Sequence, residues 1–278
     1  MTRLAVLGSP ISHSLSPTIH HAAYVFMGLD WQYEAIEVKE GGLREFLQGC
    51  DSDWLGLSLT MPLKAEAIRV CSEVDALASQ VGGANTITWA GSTTRAHNTD
   101  VAGFKTALAL AGVNDVASAV ILGAGATARA AVAAASQITD QITVYVRDPK
   151  REEGLRKAAG LRHINLQLAP WTQVASGLSA PLVISTTPKG VTDFLVELTF
   201  DGPGLLFESL YDPWPTNLVS HWERAGGRVI GGLELLVGQA IEQIKLFVGD
   251  HEGIDVSALR DVMLIAGRAE LSRRNMLA

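Results

Sequence analysis

The chain has 278 residues, of which 47% are hydrophobic and 18% charged, enough for two average domains with buried cores. That composition argues against disorder. A net charge of −7 argues against nucleic-acid binding through a basic face, while leaving room for a local basic pocket.

In chain order, short apolar runs alternate with helical patterns. Residues 4–7 read as a strand and 17–27 as a helix, with Ser16-Pro17 as an N-cap followed by a helix-starting proline. Residues 33–38 read as a strand, 43–49 as a helix, 54–59 as a strand and 64–71 as a helix. Next come a strand at 85–89 and a helix at 101–111. The middle holds strands at 119–122 and 142–146, each followed by a helix (127–136 and 151–159). Further strands are expected at 182–185 and 205–208, and helices at 235–247 and 256–272. Strand–helix alternation of this kind predicts parallel sheets covered on both faces.

Polar clusters stand just beyond several of these strands. Ser14 and Ser16 follow the first strand at a helix start, a place that suits a carboxylate. Thr60 and Lys64 follow the strand at 54–59. Asn85 lies in Gly83-Ala84-Asn85-Thr86, and Asp100 closes Asn98-Thr99-Asp100 ahead of a helix. Each has an ordinary alternative, as a cap or a surface side chain.

The strand at 119–122 runs into Gly123-Ala124-Gly125-Ala126-Thr127-Ala128 and then a helix. This is a G-x-G-x-x-A turn. The first glycine allows a tight turn, the second lets backbone approach a pyrophosphate, and the small sixth residue lets helix and strand pack closely. The next strand ends at Val146, followed by Arg147-Asp148-Pro149-Lys150-Arg151. An NADP site places arginine near the 2′-phosphate, so Arg147 and Arg151 form a candidate clamp.

Taken together and in this order, these segments resemble the shikimate dehydrogenase family over nearly the whole chain. The resemblance is carried by Ser14-Leu15-Ser16-Pro17, Thr60-Met61-Pro62-Leu63-Lys64, Gly83-Ala84-Asn85-Thr86 and Asn98-Thr99-Asp100. It continues through Gly123-Ala124-Gly125, Arg147 with Arg151, Tyr211-Asp212-Pro213 with Thr216, and Gln239. Departures are Val146-Arg147-Asp148 in place of an Asn-Arg-Thr run, and Ser185-Thr186-Thr187-Pro188-Lys189-Gly190 in place of Asn-Ala-Thr-Ser-x-Gly. Glu234 and Leu235 stand where glycine and methionine are usual.

The resemblance implies two α/β domains separated by a cleft. One is a substrate-binding and catalytic domain of residues 1–100 plus 236–278, and the other a Rossmann-like NADP-binding domain of residues 101–235. Lys64 and Asp100 would be the catalytic pair. Ser14, Ser16 and Tyr211 would hold a carboxylate, and Thr60, Asn85 and Gln239 ring hydroxyls. Gly123, Ala124, Gly125, Ala126, Thr127, Arg147, Arg151, Thr186 and Gly232 would bind NADP (NADPH). The implied reaction is reversible reduction of 3-dehydroshikimate to shikimate, a step toward chorismate and the aromatic amino acids. The alternative is an NAD-dependent quinate/shikimate dehydrogenase. A folate-type dehydrogenase would lack the Ser-x-Ser motif, and a ligand sensor would have no use for an acid–base pair.

Cys50 and Cys71 are too few for a disulfide scaffold and lie in no metal spacing, so reduced thiols and no metal are expected. No signal-peptide pattern follows Met1, and no apolar run approaches the ~20 residues of a membrane helix. The expectation is a cytoplasmic monomer or homodimer, with small molecules as partners and neither membrane nor nucleic acid.

Overall fold

The structure, a computed structural model, describes residues 1–160, 162–198, 203–249 and 253–276. The chain divides into two compact units, Met1–Thr99 with Leu236–Ala278, and Asp100–Leu235.

The first unit runs β1 (Thr2–Gly8), α1 (Ser16–Phe26), β2 (Trp31–Glu37), α2 (Leu43–Gln48) and β3 (Trp54–Leu59). It continues α3 (Lys64–Val70), β4 (Glu73–Val74), α4 (Ala76–Val81), β5 (Thr86–Ala90) and β6 (Thr93–His97). The second holds α5 (Asp100–Leu110), β7 (Ala119–Leu122), α6 (Ala126–Ala135), β8 (Gln141–Val146), α7 (Glu152–Ala159) and β9 (Asn165–Pro170). After these come β10 (Leu182–Ser185), β11 (Leu205–Glu208), α8 (Asn217–Arg224) and β12 (Arg228–Ile230). From Leu236 onward, α9 (Gly232–Val248) and then α10 (Val256–Asn275) belong to the first unit, where α10 packs on α1.

The first sheet has the order β2-β1-β3-β5-β6-β4. The alternation had predicted parallel strands throughout, and here the structure differs: β5 is antiparallel to both β3 and β6. A two-residue Gly91-Ser92 turn joins β5 and β6 as a hairpin, a connection too short for any parallel crossover. The antiparallel run has a use. It brings the start of β5 to the carboxyl end of β3, where the Leu59 amide donates to the Asn85 carbonyl at 2.7 Å.

The second sheet, β12-β11-β10-β7-β8-β9, is wholly parallel. Its four-residue strands β7, β10 and β11 are fully buried, as strands covered on both faces must be. The Ala-rich α6 buries seven of its ten residues, because methyl side chains let a helix lie close to the sheet. After β9 the chain returns to the other side of β7. The switch point therefore falls between β7 and β10, and ligand crevices of open parallel sheets open at such points, beyond the carboxyl ends.

Two local features position the first unit's loops. Glu66, buried in the first turn of α3, accepts from the Gly41 and Leu43 amides (2.9 and 3.1 Å) and so ties α3 to the start of α2. Ser16 is not the N-cap the sequence suggested. Leu15 holds that position without a side-chain bond, Ser16 is already helical, and Ser14 Oγ accepts from the Ser16 amide at 3.2 Å. Among the described residues, no helix is long and apolar enough to cross a membrane.

Candidate functional site

In the first unit, Ser14 and Ser16 lie beyond β1, and Thr60 and Lys64 beyond the neighbouring β3. Thr60 donates its amide to the Leu7 carbonyl at 2.9 Å, and its methyl group closes over Gly8. Lys64 is the first residue of α3 and half-buried. Its carbonyl accepts from the Ala84 amide at 2.8 Å, which sets it beside the segment that carries Asn85. Hydroxyls, an amide and an ammonium thus gather where β1, β3 and β5 end or begin. Arg274, near the end of α10, holds the first of these turns. Its guanidinium donates to the His13 carbonyl at 2.7 Å and, with a longer reach, to the Ser14 carbonyl at 3.5 Å.

Asn85 and Gln239 are brought together. Asn85 Nδ2 donates to Gln239 Oε1 at 3.0 Å and to Thr99 Oγ1 at 2.9 Å, while Asn85 Oδ1 accepts from the Thr99 amide at 2.8 Å. Gln239 Nε2 donates to the Leu236 carbonyl at 2.8 Å. Behind this pair lies Gln243, which sequence reasoning passed over. Gln243 bonds Ser58, Asn85 and Thr86, and its carbonyl stands 3.3 Å from His20 Nε2. His20 is wholly buried, 3.0 Å from the Tyr24 hydroxyl and stacked on Tyr33 at 4.1 Å. Burial lowers the His20 pKa to about 3, against a weaker opposing bond from Gln243, so the ring is neutral. The spacing of one turn between Gln239 and Gln243 on α9 is the only sequence signal of this arrangement.

In the second unit, Gly123, Ala124, Gly125, Ala126 and Thr127 form the turn from β7 into α6. Gly123 adopts φ +110, a left-handed value that favours glycine, and a side chain there would meet Thr186 Oγ1 at 2.8 Å. Thr186 Oγ1 itself donates to the Leu122 carbonyl at 2.8 Å. Gly125 caps α6 with no side-chain bond, and nothing lies within 4 Å of where its Cβ would stand. An uncapped helix start beneath open space fits a pyrophosphate.

Arg147 and Arg151 are exposed just past β8. Asp148 between them turns away to accept from the Lys150 amide at 3.0 Å, capping the following turn. Arg129, which sequence reasoning missed, is close enough to Arg151 for its pKa to be lowered, first by burial and then by that like charge. Crowded guanidiniums suit the 2′-phosphate of NADP. Gly232 lies buried against the backbone of Ser209 and Leu210, the residues that lead to Tyr211.

Among the described residues, three buried side-chain oxygens lack a hydrogen-bond partner: Ser185 Oγ, Thr187 Oγ1 and Glu208 Oε2. Ser185 and Glu208 are register partners at the ends of β10 and β11. Glu208 Oε1 accepts from the Leu210 amide at 3.1 Å. Burial pushes the Glu208 carboxyl up to about 7, and nearby amides and hydroxyls only partly offset it. Ser185 Oγ is near enough to favour the charge without standing in bonding geometry.

Residues 6–87 match the family model of the shikimate dehydrogenase substrate-binding domain. The chain is 38% identical over 280 residues to the shikimate dehydrogenase (NADP(+)) of Methanothrix thermoacetophila, covering 98% of each. Its fold is similar to that of Mycobacterium tuberculosis shikimate dehydrogenase, with a TM-score of 0.84 and 35% identity over 97% of this chain and 99% of that one. It is likewise similar to shikimate 5-dehydrogenase from Thermus thermophilus, solved in complex with NADP(H) and shikimate. There the TM-score is 0.83 and the identity 29%, over 97% and 99% of the two chains. With strand order, glycine turn and near full-length similarity in agreement, the chain belongs to the shikimate dehydrogenase family.

Proposed function

We propose that this chain catalyses the NADP-dependent, reversible reduction of 3-dehydroshikimate to shikimate. The observation that carries the reading is the gathering of Ser14, Ser16, Thr60, Lys64 and Asn85 at the ends of β1, β3 and β5. A small ring with a carboxylate and several hydroxyls matches those groups. The first unit is the substrate-binding and catalytic domain, and the second binds NADP. The reading includes a cytoplasmic enzyme, monomeric or homodimeric, whose partners are its two small ligands.

Ser14 and Ser16, with Tyr211, hold the carboxylate, and Thr60, Asn85 and Gln239 address the ring hydroxyls. The Gly123–Thr127 turn takes the pyrophosphate, and Arg147 and Arg151 the 2′-phosphate, with Arg129 beside them. Thr186 and Gly232 line the same ligand. When bound, the nicotinamide supplies or accepts the hydride. Lys64 gives its proton to the oxygen that gains charge, and Asp100 holds the same hydroxyl and orients the lysine.

Initial rates with shikimate and with quinate, each against NADP and NAD, test the reading. Turnover of shikimate with NADP is expected to dominate, and its absence would overturn the assignment. Two variants divide the ligands. Arg147→Ala should weaken NADP more than NAD, by about 1–3 kcal/mol, the range for losing a charged hydrogen-bond partner. Equal use of NAD and NADP by the unaltered enzyme would remove the arginine clamp. Ser16→Ala should raise KM for shikimate and leave NADP binding unchanged. A matching loss for both ligands would show instead that the helix start had been damaged.

A further inference from the structure

We propose that Gln243 is a positioning residue for the ring-hydroxyl site, acting through the Thr86 hydroxyl to hold Asn85 and Gln239 in place and in polarity. The proposal rests on the functional reading above and extends it to a residue that touches no ligand.

Gln243 is 1% exposed and lies one helical turn beyond Gln239 on α9. Its carboxamide is fully engaged. Nε2 donates to the Asn85 carbonyl and to Thr86 Oγ1, both at 3.1 Å. Oε1 accepts from Ser58 Oγ at 2.9 Å and faces His20 Nε2 at 3.3 Å. A backbone carbonyl can only accept, so the Gln243 nitrogen must face Asn85 and its oxygen must face Ser58 and His20. His20 therefore carries its hydrogen on Nε2, and its Nδ1 accepts from the Tyr24 hydroxyl.

The same logic runs forward into the site. Thr86 Oγ1 receives a hydrogen from Gln243, which leaves its own hydrogen for Asn85 Oδ1, 3.1 Å away. The Thr99 amide supports the same orientation of Asn85 from the other side. With Oδ1 so held, Asn85 Nδ2 must point at Gln239 Oε1. Gln239 Oε1 is then committed as the acceptor, and its nitrogen serves as the donor. One amide hydrogen goes to the Leu236 carbonyl, and the second is left for a lone pair on a ring hydroxyl. Buried networks of this kind hold an orientation because every alternative strands a donor against a donor.

The test uses three variants of the full-length enzyme. Gln243→Met keeps the shape and removes all four bonds. Thr86→Val keeps the volume and removes only the hydroxyl link. Thr86→Ser restores the hydroxyl. Gln243→Met and Thr86→Val should each raise KM for shikimate about 5- to 20-fold, the change expected from loosening one hydrogen bond. KM for NADP should stay within twofold, kcat should fall less than KM rises, and Thr86→Ser should behave as the unaltered enzyme. Where Gln243→Met folds poorly, Thr86→Val and Thr86→Ser decide the matter alone. A folded Thr86→Val whose KM for shikimate stays within twofold, with only a lowered melting temperature, overturns the proposal and leaves Gln243 a purely structural residue. Failure of the unaltered enzyme to turn over shikimate with NADP strikes the functional reading instead.

Discussion

Lys64→Ala is expected to lower kcat for shikimate oxidation by about 10²- to 10⁴-fold, the usual contribution of a positioned general acid or base. KM should change little, because the proton is needed only as charge develops on the reacting oxygen. The fold makes this a clean experiment. Lys64 opens α3, but α3 is anchored by other groups: Glu66 on the Gly41 and Leu43 amides, and the Lys64 carbonyl on the Ala84 amide. Removing the ammonium leaves all of these intact. Asp100→Asn preserves shape while removing charge, and it should also depress kcat. The double variant should lose less than the sum of the two if, as proposed, the groups act as one catalytic pair. A folded Lys64→Ala enzyme with near-normal kcat would remove Lys64 from the mechanism and make it a surface lysine.

Glu208→Gln is expected to stabilise the protein above pH 7, by on the order of 3 kcal/mol, and to have little effect below pH 4.5. The native carboxyl ionises near 7, and in the unfolded chain it ionises near 4.5. Between those values the unfolded chain has lost its proton while the native protein keeps it. Rising pH therefore favours unfolding, by about 1.4 kcal/mol per pH unit across the window. His20 acts in the opposite sense. Its native pKa of about 3 lies below the ordinary 6.5, so the unfolded chain binds the proton first as pH falls. Stability from His20 is whole above 6.5 and is lost toward 3. From about pH 4.5 to 6.5 the two slopes nearly cancel. Glu208→Gln should unmask the His20 slope there, so that the variant gains stability relative to the unaltered protein as pH rises. Denaturant unfolding of both proteins at several pH values measures the difference, and other titrating groups drop out of it. Parallel curves would show that Glu208 ionises normally in the native protein.

Much of the architecture was legible because burial leaves a simple trace. Strands β3, β7, β10 and β11 are apolar runs whose ends coincide with the sequence reading, and the glycine turn announces α6. Elements with a weak apolar signal escaped. Strand β6, which forms a hairpin with the expected strand β5, is rich in threonine and half exposed, and β12 has three residues. Helix α8 was missed, although Thr216 caps it and Leu218, Val219 and Trp222 bury one face. The candidate site divides in the same way. Residues that follow a strand, such as Ser14, Thr60, Lys64 and Arg147, could be picked out by place. Gln243 could not, because its partners lie between 157 and 223 positions away and only the folded chain brings them to it. Glu208 was equally hidden, since nothing local to a strand end tells that both faces will be covered.

The interrupted layout of the first unit has a consequence for how the protein is made. Residues 1–99 leave the ribosome well before α9 and α10, the helices that complete their unit. At about 5–20 residues per second, the 144 residues from Thr99 to Gln243 (243 − 99) take on the order of ten seconds. Throughout that time His20, Ser58 and Thr86 lack Gln243, and α1 lacks the helix that covers it. The second unit, contiguous in the chain, has all its described strands once residue 230 has emerged. The nascent protein thus completes its later-encoded unit first. A chain stopped after residue 235 should keep that unit's fold and leave the opening segment open to proteases and chaperones.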